Sequence, residues 1–184
     1  MTLVELLVAV GISGIVFAAV ASFAFYGGRS FVALSNYVDL DNKSRGALDR
    51  MTQEIRQVND VTGYGTATLA SGQLVTNKLV FGGTETNGTA YTLTYEYNPT
   101  EQKLTRTKDA GINPGTTTLL TGCYYLNFGM FQRNPVGGTY EQYPAADPST
   151  CKEVQLYWIC SRKILGRTGN TESMQSAKVV IRKK

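Results

Sequence analysis

From Leu6 to Gly28 the sequence carries no charged residue, a run of 23 positions, and the residue directly before it is an acid, Glu5. A helix needs about 20 apolar residues to cross a bilayer, so this run is long enough to span one. A carboxylate at the end of such a segment is costly unless it is paired or reaches water. The first Lys or Arg is Arg29. The segment therefore requires an apolar environment along its length and a counter-ion for its first turn. A soluble domain provides neither easily.

Val, Ala, Leu and Ile dominate residues 1–28 and predict a helix. Gly11 and Gly14 weaken it by about 1 kcal/mol each relative to Ala, and Gly27-Gly28 form a second soft point. No proline occurs before Pro99, so the helix is free to continue. In its continuation Leu34, Tyr37, Leu48, Met51, Ile55 and Val58 recur at helical spacing. That stripe lapses at Asp41 and Ser44, where the turns are expected to face water or another chain. An end near Asn59–Gly63 gives one helix of about 58 residues, or about 85 Å at 1.5 Å per residue. Three parts follow: an apolar helix over 1–28, its amphipathic continuation over 29–60, and a head over 61–184.

In the head the period changes to two. Strands are expected at 78–83, 89–98, 103–108, 116–120, 123–132, 153–162 and 177–183, where β-branched and aromatic residues concentrate. Turn signals separate them at 86–88, 98–100, 113–116 and 134–138, and residues 133–150, with Pro135, Pro144 and Pro148, read as a long irregular loop. The expected fold is α+β, with the helix packing its second half on a mostly antiparallel β-sheet domain. Within 153–162, Val154, Leu156, Trp158 and Cys160 share one face. A disulfide is expected among Cys123, Cys151 and Cys160. A Cys123–Cys160 bridge across paired strands requires a bulge, because alternation puts the two on opposite faces. Cys123–Cys151 keeps the parity but spans the length of the hairpin. Cys160 also reads as a plain buried residue, and the choice stays open.

Composition narrows the chemistry. The chain has no His, which removes the commonest general base and transition-metal ligand, and no CxxC pair. It offers no nucleophile elbow, P-loop or dinucleotide fingerprint, so neither an enzyme nor a cofactor is expected. The net charge is +4, with residues 151–184 holding eight Lys/Arg against Glu153 and Glu172. A solvated face accounts for that basic end, and nucleic acid is a partner that no motif supports. Most of the eleven Tyr, seven Phe and one Trp are spaced as strand core or surface residues, and they give no reason to expect electron conduction. Asn42-Lys43-Ser44 and Asn87-Gly88-Thr89 match the glycosylation acceptor pattern, a short motif common by chance. A secretory signal peptide has a basic region before its apolar core. Here the preceding charge is acidic, and the segment reads as the start of a mature chain.

The stretch MTLVELLVAVGISGIV, through Thr2, Leu3, Glu5, Leu6, Leu7 and the uncharged helix that follows, resembles the N-terminus of the type IV pilin and type II secretion pseudopilin superfamily. Met1 stands where the family usually has phenylalanine, and Ser22 where many members have proline. The resemblance implies that a prepilin peptidase cuts a short basic leader after a glycine and methylates the new amine, here that of Met1. It implies a subunit held in the bacterial inner membrane and then polymerised by its assembly machinery into a homo-oligomeric helical filament outside the cell. Glu5 of an incoming subunit then pairs with the Met1 amine of a neighbour, which fixes axial register. Its own Met1 amine, one turn away, is the partner before assembly. The resemblance further suggests melting between Gly14 and Ser22 in the filament; close helix packing is the alternative role for Gly11 and Gly14. The β-rich half, through LTYEYN, KLTRT and LLTG, is similar to J-type minor pseudopilins, so a pseudopilin or a minor priming or tip subunit is the alternative assignment. A membrane tether whose Glu5 snorkels to the headgroups is a third.

Overall fold

The computed structural model describes residues 2–133, 143–145, 147–164 and 167–182. One unbroken helix, α1 (Leu3–Gln57), is followed by strands β1 (Asp60–Thr68), β2 (Leu74–Thr84), β3 (Ala90–Asn98), β4 (Lys103–Lys108), β5 (Gly115–Thr121), β6 (Cys123–Gln132), β7 (Tyr143–Pro144), β8 (Glu153–Ile164) and β9 (Arg167–Val180). The expected α+β arrangement is present: one long N-terminal apolar helix and antiparallel strands in two sheets. The first sheet is a meander in the order β1-β2-β3-β4-β5, and the second has the order β7-β6-β8-β9.

Helix α1 starts with a capping box. Thr2 Oγ1 accepts from the Glu5 amide at 3.4 Å, while the Thr2 amide donates to Glu5 Oε2 at 2.7 Å. The helix ends at Val58, an extended residue whose side chain is buried. Its 55 residues extend about 82 Å. The buried stripe differs from the expected one. Leu34 and Tyr37 are exposed, and burial runs through Leu40, Ser44, Ala47, Met51 and Ile55. Ser44 does not interrupt this stripe, because Trp158 Nε1 donates to its hydroxyl at 2.7 Å and both groups are fully buried. Asp41, beside it, accepts from Ser173 and Gln175 on β9. The middle turns of α1 therefore face the second sheet, where water or another chain was expected.

Strand boundaries depart from the sequence reading at three places. Asp60–Thr68 forms β1, although no strand was expected before Lys78, and β2 already begins at Leu74. Gly63 and Gly65 lower the strand signal there, yet tertiary pairing with β2 recovers it through two register shifts. The final strand runs from Arg167 to Val180, where 177–183 was expected, because its polar first half is held by pairing with β8. Within 133–150, expected to be irregular, Tyr143–Pro144 pairs with β6 and Pro148–Thr150 forms a short 3-10 turn. Pro135 and the rest of 134–142, with residue 146, lie outside the described residues.

The two sheets meet through β2 and β6. Asn127 Oδ1 accepts from the Thr76 amide at 2.9 Å, and Tyr97 donates to the Cys123 carbonyl at 2.8 Å. One core fills the space between the sheets and α1, built from Phe81, Leu93, Tyr95, Tyr97, Leu126, Phe128, Leu156 and Trp158 together with Met51 and Ile55. Cys123 and Cys160 are bonded, and they lie directly opposite each other on β6 and β8. The required bulge is present: register shifts between Cys123 and Tyr125, which brings Cys123 onto the Trp158 face. Cys151 is buried outside this bridge, and its thiol donates to the Glu153 carbonyl at 3.4 Å.

The bridge spans 37 residues, a loop whose closure entropy is worth about 4 kcal/mol in the chain-constraint account. Replacing both Cys123 and Cys160 by Ser is expected to lower unfolding stability by about 3 kcal/mol, read as an earlier midpoint in urea with the chain held in detergent.

Candidate functional site

The surface that sets this chain apart lies on α1 before the head begins. From Leu3 to Val38 no residue of the helix is buried, and the side chains on all its sides stay open. Leu3 is 79% exposed, Phe17 76%, Phe23 83% and Phe31 75%. An 18-residue window in α1 reaches a mean hydropathy of 2.5 with none of it buried. Apolar surface of this size on a folded chain marks contact with a membrane or another protein. By length and composition the helix is able to cross a membrane.

Two charges belong to this surface. Glu5 lies in the first turn, with one carboxylate oxygen held by the Thr2 amide. Met1, expected to supply the assembly amine and the methylation site, lies outside the described residues. Arg29 places its guanidinium over the Phe25 ring, 4.8 Å from the centroid. Gly14 and Ser22, the expected limits of melting, lie in continuous helix in this single chain, and Ser22 donates back to the Ala18 carbonyl at 2.8 Å. A Cβ at Gly11 or Gly14 meets nothing within 4 Å, so both leave room for a neighbouring helix.

The second half of α1 is locked to the head by charge as well as by apolar packing. Glu54 accepts from Arg106 at 3.0 Å on each of its oxygens, from Arg50 at 3.3 Å, and from the Tyr95 hydroxyl. The Arg106 side chain is 3% exposed and also donates to the Asn113 carbonyl at 3.1 Å. Burial pushes the Glu54 carboxyl up, but the hydrogen bonds from Tyr95 and Arg106 and the guanidinium charge outweigh it, and the group titrates below its ordinary value. Burial, then the Glu54 charge, pushes Tyr95 well above the usual phenol value. One helical stretch earlier, Asp39 pairs with Arg162 of β8 and with Lys43, and the hydrogen bonds from these two lower its carboxyl.

Sequence reasoning located Glu5 and the apolar surface but missed this lock. A signal was available: in KLTRTK, Arg106 alternates with Leu104 and Lys108 and so falls on the inward face of β4. A charged residue at an inward strand position calls for a buried partner. Among the described residues no group of three or more His, Cys, Asp or Glu side chains converges. No model of a known protein family matches the sequence, and no curated protein matches it. The architecture itself, a long apolar helix packed on antiparallel sheets, is loosely pilin-like.

The Glu54 lock has a pH signature. A carboxyl lowered on folding stabilises the fold above its unfolded value, and that contribution disappears as pH falls through the lowered folded value. Glu54→Gln is expected to cost about 3 kcal/mol at neutral pH, since it leaves Arg106 buried without its carboxylate. The variant is also expected to lose stability less steeply than the wild type on acidification. Urea unfolding followed by Trp158 fluorescence over a pH series measures both.

Proposed function

We propose that this chain is a structural subunit of a bacterial type IV pilus filament, anchored in the inner membrane by α1 before assembly and part of an extracellular fibre after it. The observation that carries the reading is the uncovered apolar helix with Glu5 in its first turn, joined without a break to a locked head. Such a surface is stable in lipid, or when buried against copies of itself. A filament provides the second environment by packing these helices into its core. The acid at the end of the surface is tolerated there only when paired. Its counter-ion is the amine at Met1 of a neighbouring subunit, so charge neutralisation and polymerisation become one event. Methylation of that amine keeps its positive charge.

A second reading is a pseudopilin or a minor, priming or tip subunit of a type II secretion or type IV pilus system. It is supported by the similarity of the β-rich half, through KLTRT on β4 and the LLTG that closes β5, to J-type minor pseudopilins. Stoichiometry separates the two: a main subunit makes up most of a sheared filament, and a minor one is present in traces beside another subunit.

Glu5→Ala tests the mechanism. The variant is expected to enter the membrane fraction in wild-type amount and to yield at least tenfold less sheared filament, counted by electron microscopy. Wild-type filament yield from the variant contradicts the pairing.

A further inference from the structure

The uncovered apolar surface does not stop where the charge-free run stops. Phe31, Val32, Leu34, Tyr37 and Val38 are all exposed beyond Arg29, and Leu40 is the first residue of α1 that the head buries. Anything that covers this whole surface also covers Arg29, the only cationic side chain between Leu3 and Val38. A guanidinium taken out of water without a carboxylate is strongly destabilising. The only acid on the same stretch is Glu5. The two are 24 residues apart, about 36 Å along the helix at 1.5 Å per residue, so they cannot meet within one chain.

We infer that Arg29 is a register contact between copies of this chain: it meets Glu5 of a parallel copy displaced by about 36 Å along the common axis. The inference rests on the filament reading above. The stagger agrees with the apolar surface. It sets Leu7, Val8 and Val10 of the upper copy level with Phe31, Val32 and Leu34 of the lower one, and Gly11 level with Ser35. The exposed surface of the lower copy ends at Val38, level with Gly14 of the upper one, so the contact covers residues 3–14 of one copy and 27–38 of the other. The rotation agrees too. At 100° per residue the two charges lie about 240° apart around the helix, within about 60° of the opposed faces that two parallel neighbours turn to each other. The length of an arginine side chain and the rotation between subunits absorb the remainder. A carboxylate accepts several hydrogen bonds, so Glu5 is able to hold Arg29 of one neighbour and the residue-1 amine of another.

Ile12 and Asn36 share the 24-residue offset and lie on nearly the same sides of α1 as Glu5 and Arg29. Full-length chains carrying Ile12→Cys with Asn36→Cys, oxidised as sheared filaments, are expected to give a ladder of covalent oligomers on a non-reducing gel. Each single variant is expected to give no ladder. Arg29→Gln is expected to reduce filament yield at least fivefold while Arg29→Lys keeps it. Intact filaments without the ladder overturn the inference, as does Arg29→Gln assembling in wild-type amount. A wild-type chain that forms no filament at all overturns the functional reading itself, and the two failures are thereby distinct.

Discussion

The structure depends on a mismatch between one helix and the domain that holds it. Helix α1 has 55 residues, and burial by the head begins only at Leu40. Among the described residues, the inward side chains of the two sheets close one core around Met51, Ile55 and Trp158, and the rest of the helix lies outside it. Apart from Glu5 and Arg29, the helix through Val38 is uncharged and exposes apolar side chains on every side, which makes it a surface for another phase or another chain. The capping box at Thr2 and Glu5 keeps that surface helical to its start without help from tertiary contacts.

The head treats its portion of α1 differently from the way a sheet usually receives a helix. Among the described residues, apolar packing through Met51 and Ile55 is joined by four polar attachments: Arg162 to Asp39, Ser173 with Gln175 to Asp41, Trp158 to Ser44, and Arg106 with Tyr95 to Glu54. They are distributed from the first turns that touch the head to the last. Apolar contacts alone tolerate sliding by a helical turn, because Leu, Met and Ile are interchangeable at that level of detail. Directed hydrogen bonds at fixed positions do not. The orientation of the free helix relative to the sheets is thus set by geometry as well as by area.

Much of this was legible in the sequence. The apolar run, the single helix, and the strands at 89–98, 103–108 and 123–132 are local signals, and the structure places them within a few residues of expectation. The need for a bulge at Cys123 followed from strand parity alone. What escaped was decided by partners distant in the chain. Ser44 is a weak helix residue until Trp158, 114 positions later, supplies a donor. The glycine-rich β1 and the polar first half of β9 become strands only because β2 and β8 offer them edges. Glu54 looked like one more solvated charge until β4 brought Arg106 beneath it. Tertiary pairing overrides local propensity most readily where that propensity is weak.

The spacing of these attachments has a mechanical consequence. They lie at Asp39, Asp41, Ser44 and Glu54 along α1, a span of about 22 Å, so a pull applied through the free end of the helix loads them side by side in shear and does not peel them open one after another. Bonds loaded in parallel share the force. The Cys123–Cys160 staple then ties β8, which carries Trp158 and Arg162, to β6 by a covalent link. Traction on the helix is delivered to β8 in the interior of the second sheet and, through Ser173 and Gln175, to its edge strand β9 as well.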